Sequence, residues 1–188
     1  MKNNFYDKIQ CNPIISAVNS LDKLDTAIES PSEIVFLLKG NLLNLKETVE
    51  KVAKSKKAIY IHLDLIEGLS RDIYALKYIK DNVRPDGIIT TKSSLVRIAK
   101  ELDMFAIQRL FILDSLSLET GIKSIKSTKP DAVEILPGIM PRITKILHKE
   151  TNIPIINGGL ITLKEEVINS LGSGAIGIST TNEKIWYM

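Results

Sequence analysis

Apolar residues along this chain fall into two alternating rhythms. Short β-branched or aliphatic runs such as EIVFLL, AIYIHL and DAVEIL are separated by longer stretches in which apolar positions recur every three or four residues. The first rhythm belongs to buried strands, the second to helices with one apolar face. The pattern predicts strands over 13–18, 33–38, 58–63, 86–90, 104–109, 131–136, 153–157 and 174–179. It predicts helices over 21–29, 44–55, 70–81, 92–101, 116–128, 140–150, 163–171 and 182–187. Leu45, Val49 and Val52 share one face of the second helix, and Ile73, Leu76 and Ile79 one face of the third. RPDGII and KPDAVEI both place Pro-Asp between a helix end and a strand start, where proline halts the helix and aspartate turns the chain. They read as echoes of one βα unit. Eight strands alternating with helices point to a compact TIM-type (β/α)8 barrel of parallel strands, forming a single domain over 1–188. An open doubly wound sheet is the alternative, but closure leaves no strand edge unpaired.

Composition narrows the field. With 188 residues and 44% hydrophobic content the chain can bury a sizeable core. A net charge of +3 permits an anionic ligand without announcing a nucleic-acid surface. The lone Cys11 forms no internal disulfide, and the opening MKNNFYDKIQ lacks the layout of a secretion signal, so a cytoplasmic setting is expected. No apolar run approaches the ~18–20 residues needed to cross a membrane.

In a barrel the carboxyl ends of the strands converge on one mouth. The polar residues there are Lys39, His62, Asp64, Gln108 or Arg109, Glu134 and Asn157. Glu134 in an otherwise apolar strand requires a partner or a wet cavity, because an unpaired buried carboxylate is prohibitive. Gly158 and Gly159 let the backbone after the seventh strand approach a ligand, and Ser179, Thr180 and Thr181 offer hydroxyls and amides before a short helix. Loops seven and eight of a barrel are where phosphate is commonly held, so a phosphate monoester is the expected ligand. A tight turn followed by an ordinary N-cap would leave the same residues. His62 and Asp64 could pair as base and orienter, yet no third ligand is spaced to complete a metal site, and no cofactor is implied. Asp114 and Ser115 read first as a helix N-cap, and His148 as a solvated face residue. The groups Lys51, Lys54, Lys56, Lys57 and Lys123, Lys126, Lys129 sit near helix ends, where cations offset the dipole. With aromatics at only 5%, and none among these lysines, no base-stacking platform is visible.

The stretches NPIISAV (12–18), VFLLKG (35–40), IHLDLIEGLSRD (61–72), PDGIITTK (85–92), IQRLFILDS (107–115), PDAVEILPGIMPR (130–142), PIINGGLI (154–161) and GAIGISTTNEKIW (174–186) carry a resemblance. The chain resembles the bacterial glycerol-uptake operon antiterminators, also described as glycerol-3-phosphate-responsive antiterminators. It departs from that pattern at Asn157, where alanine is expected, and at Thr181, where serine is expected. The resemblance implies a barrel that binds glycerol 3-phosphate and acts on the leader mRNA of glycerol-utilisation genes. It implies that Gly158, Gly159, Ser179 and Thr180 hold the phosphate, with Lys39, His62, Asp64, Arg109 and Glu134 around the glycerol hydroxyls and the phosphate edge. The rival is a barrel enzyme acting on a small phosphorylated sugar or triose, with Asp64, Glu134 and Lys39 as its acid, base or electrophile. A ligand-binding barrel acting through a protein partner is a third reading, and a homo-oligomer is left open.

Overall fold

The computed structural model describes residues 2–188. The strands, in chain order, are β1 (Ile14–Val18), β2 (Ile34–Leu37), β3 (Gly40–Asn41), β4 (Ala58–His62), β5 (Ile66–Glu67), β6 (Gly87–Thr90), β7 (Phe105–Phe111), β8 (Ala132–Leu136), β9 (Ile155–Gly158) and β10 (Ala175–Thr180). Eight of them close into a barrel in the order β1-β10-β9-β8-β7-β6-β4-β2, every pairing parallel. The two short strands β3 and β5 pair separately as a flap beyond the ends of β2 and β4. The helices are α1 (Lys2–Cys11), α2 (Leu24–Glu29), α3 (Leu45–Lys54), α4 (Ile73–Tyr78), α5 (Ser93–Glu101), α6 (Ser115–Thr128), α7 (Pro141–Thr151), α8 (Lys164–Gly172) and α9 (Glu183–Trp186). The expected eight strands and closed topology are therefore present, whereas α1 and the flap go beyond the sequence reading.

Alternation along each strand divides the core in two. Ile15, Ala17, Phe36, Tyr60, Ile89, Phe105, Ile107, Ala132 and Ile156 fill the barrel interior, and their neighbours pack outward against the helices. Helix α1 closes the end at which the strands begin. Its Phe5 and Ile9, four apart and so on one face, are both buried, and the Phe5 ring lies 5.3 Å from Tyr60 and 4.8 Å from Phe105 between centroids. The two Pro-Asp motifs are one device used twice. Asp86 accepts a hydrogen bond from the Ile59 N–H (2.8 Å) and Asp131 from the Ala106 N–H (2.9 Å), each binding the next strand's entry to its neighbour.

Helix α4 departs from expectation. Asp72 caps it by accepting from the Ala75 N–H (2.9 Å), and a π-turn over Ile79–Val83 follows. Ala75, Leu76, Ile79 and Val83 are buried, whereas Ile73, the first residue of the helix, is 36% exposed rather than in the core.

Candidate functional site

At the end where the strands finish, the loops after β9 and β10 enclose a cavity of about 330 Å3. Arg109, Glu134, Gly159, Leu160, Ser179 and Thr181 are among its lining residues. Both turns singled out in the sequence thus face one hollow. Thr180 ties them together, its Oγ1 donating to the Ile161 carbonyl at 2.9 Å while its own carbonyl accepts from Trp186 Nε1 at 2.7 Å.

The two glycines play different parts. Gly158 is the last residue of β9, two beyond the interior Ile156, and a Cβ added there would sit 2.7 Å from Glu134 Oε1. Its missing side chain makes room for that carboxylate. Gly159 adopts φ +72°, followed by Leu160 at φ +60°, which turns the backbone across the mouth. Among the described residues, none accepts from the main-chain N–H groups of Gly159, Leu160 or Thr181. Three donors at one cavity suit an anion.

Arg109 and Glu134 are direct register partners on β7 and β8, both pointing inward. Arg109 Nε donates to Glu134 Oε2 at 2.6 Å, with only 7% and 1% of the two side chains exposed. This partner is the one a carboxylate in that strand requires, and the pair neutralises itself. Gln108 faces the other way, bonded to Ser124 (2.7 Å) and Thr128 (2.6 Å) on α6.

Asn157 also lies outside the mouth, which corrects the sequence reading. Its amide bonds to Thr144 on α7 and to the Gly138 carbonyl, because the residue after inward Ile156 must point outward. Lys39 stands at the rim and pairs with Glu67 on the flap (2.7 Å). Asp114 caps α6, accepting from the Ser117 N–H at 2.7 Å, and His148 is exposed.

His62 and Asp64 form a second group, outside the lining of the cavity. Asp64 accepts from Thr90 Oγ1 and from the Thr91 N–H and Oγ1, at 2.7–3.1 Å. Burial pushes its carboxyl up, but those bonds together with His62 outweigh it and hold it below the usual range. The threonine pair in GIITTK was the overlooked signal. His62 Nδ1 is buried without a hydrogen-bond partner and lies 4.0 Å from Asp64 Oδ2, too far for a base held by its orienter.

Burial, reinforced by the Arg109 charge, lowers the His62 pKa to about 4. An unfolded histidine titrates near 6.5. The folded chain therefore binds fewer protons between those values, so stability is intact above pH 6.5 and lost as pH falls toward 4. The expected slope within that window is about 1.4 kcal/mol per pH unit. Urea unfolding at pH 7, 6 and 5 reads it directly, and His62→Gln should flatten the curve; a variant as steep as the natural chain would exclude this origin.

The profile described as glycerol-3-phosphate responsive antiterminator matches residues 14–186. The chain is 36% identical over 175 residues to the Escherichia coli (strain K12) protein YgcP, covering 93% of this chain and 92% of that one. The glycerol uptake operon antiterminator regulatory protein of Listeria monocytogenes str. 4b F2365 superposes with a TM-score of 0.90 at 34% identity, covering 93% and 95% of the two chains. A glycerol uptake operon antiterminator-related protein of Thermotoga maritima MSB8 gives 0.84 at 32%, covering 93% and 98%.

Proposed function

Because the chain belongs to the glycerol-3-phosphate responsive antiterminators, we propose that it binds glycerol 3-phosphate in the mouth cavity and, when loaded, acts on the leader mRNA of glycerol-utilisation genes. The observation that carries the ligand reading is that Gly159, Leu160 and Thr181, whose N–H groups have no acceptor among the described residues, line one cavity together with Arg109. These donors, with the hydroxyl of Ser179, take the phosphate. Glu134 engages only Nε of the Arg109 guanidinium, which leaves its other N–H groups to bind the phosphate edge. Glu134 can accept from a glycerol hydroxyl without repelling the dianion, because Arg109 already balances its charge. At about 330 Å3 the cavity falls at the small end of ligand pockets, ~300–1,000 Å3. Gly158 serves by accommodating Glu134, Thr180 by joining the loops, and Lys39, His62 and Asp64 by shaping the opposite rim.

A regulatory role suits this arrangement better than catalysis. Lys39, Asp64 and Glu134 are held by three separate partners, Glu67, the Thr90–Thr91 pair and Arg109, and so are not poised around one reacting atom. Glycerol 3-phosphate stabilises the loaded form, and it shifts RNA affinity by its preference for that form over the empty one.

Thermal unfolding tests the ligand. At a hundredfold excess over Kd, glycerol 3-phosphate should add about 2.7 kcal/mol, raising Tm by about 5–10 °C for a chain of this size. Glycerol should leave it unchanged. Equal effects from both compounds would remove the phosphate site. Gel-shift affinity for the leader, with and without glycerol 3-phosphate, tests the regulation, and a ligand-independent result would refute it.

A further inference from the structure

We infer that single-stranded RNA is read on the exposed face of α4 and the π-turn after it, with the rings of Tyr74 and Tyr78 as stacking platforms and Arg71, Lys77, Lys80 and Arg84 as phosphate contacts. This rests on the antiterminator reading and names the surface that reading leaves open.

Aromatic residues make up only 5% of the chain, and Phe5, Phe36, Tyr60, Phe105 and Trp186 are buried. Tyr74 and Tyr78 are 77% and 41% exposed. Four residues apart on one helix, they stand side by side. Rings left in water at that spacing, beside cations, are what a flexible polyanion with flat bases requires.

The charge around them matches. Between residues 71 and 84 stand the four exposed cations Arg71, Lys77, Lys80 and Arg84 against two carboxylates, Asp72 and Asp81. Asp72 is already engaged as the α4 cap. Another exposed apolar patch, Phe111, Leu113 and Leu116, lies in a segment whose only charges over 111–120 are Asp114 and Glu119, so it would repel phosphate, and Tyr187, 55% exposed, has no second exposed ring one helical turn away. Nor do the lysine groups elsewhere offer rings. Lys51 pairs with Asp25, Lys126 pairs with Glu150, and Lys57 turns inward to the Ser30 and Ser32 carbonyls.

The surface also adjoins the mouth. Arg71 Nη2 donates to the Asp64 carbonyl at 2.9 Å, joining the start of α4 to the turn that follows β4. A ligand that orders the rim therefore acts one hydrogen bond away from the RNA surface.

The test uses the full chain with saturating glycerol 3-phosphate and a fluorescein-labelled transcript of the source organism's glycerol-utilisation leader. Tyr74→Ala and Tyr78→Ala should each weaken binding about tenfold, since one base–ring stack is worth ~1–3 kcal/mol. Tyr74→Phe and Tyr78→Phe should stay within about threefold because the ring persists. Lys77→Gln should reduce the salt slope of binding by about one. Tm and glycerol 3-phosphate affinity should not change in any of these variants, whose side chains lie outside the core. Unchanged RNA affinity in the double alanine variant, or equal competition by a fully duplexed RNA, would overturn the assignment while leaving the antiterminator reading intact. A natural chain with no affinity for the transcript would overturn both.

Discussion

Replacing Glu134 with leucine should destabilise the folded chain by about 3–5 kcal/mol, the range for stranding one member of a buried ion pair. The natural Arg109–Glu134 contact is 2.6 Å long between side chains that are 7% and 1% exposed. Removing the carboxylate leaves a nearly buried guanidinium without its counter-charge. Arg109→Met should cost a similar amount for the opposite reason, leaving an orphaned carboxylate. The double variant Arg109→Met with Glu134→Leu should recover most of the loss, since apolar replacement of a whole buried pair is often neutral. Urea unfolding of all four proteins gives the coupling energy by a double-mutant cycle. Additive losses would mean that the pair contributes nothing as a pair. The stable double variant should no longer respond to glycerol 3-phosphate, which separates the fold from the site.

The second large effect is expected at Gly158→Val. Titration calorimetry should show glycerol 3-phosphate binding weakened at least about a thousandfold, equivalent to ~4 kcal/mol. A Cβ on residue 158 would fall 2.7 Å from Glu134 Oε1 and 3.3 Å from its Cδ. The carboxylate cannot swing freely, because Arg109 holds it. It must be driven into the cavity, where it meets the incoming dianion and draws Arg109 away from the phosphate. Gly158→Ala, with no branches, should produce the same change to a smaller degree. An undiminished affinity in the valine variant would locate the ligand somewhere other than this mouth.

How far each of these features was legible depends on its range along the chain. Strand and helix order could be read because the β runs and the helical repeats each signal within a few residues. The facing of β7 could be chosen only once Ile107 was known to lie inside, which sends Arg109 in and Gln108 out. At β9 the run from Ile153 to Ile156 is apolar on both faces, so no alternation existed from which to tell that Asn157 points to Thr144. The Arg109–Glu134 pair depends on register between β7 and β8, a relation 25 residues apart that neither strand encodes alone. The flap escaped notice because β3 and β5 have two residues each, too few to show any period. Helix α1 escaped for another reason. Phe5 and Ile9 are a narrow apolar stripe in a polar segment, and their value appears only when the hollow barrel end they fill is known.

That stopper of aromatic rings has a consequence for how the molecule can signal. With one end of the cylinder packed solid by Phe5, Tyr60 and Phe105, and its wall hydrogen-bonded all the way round, neither the base nor the staves can give. Any rearrangement is then left to the loops of the open lip, like the brim of a vessel cast with a heavy foot. Whatever message a small guest conveys must travel sideways along that brim to its neighbours, not downward through the body.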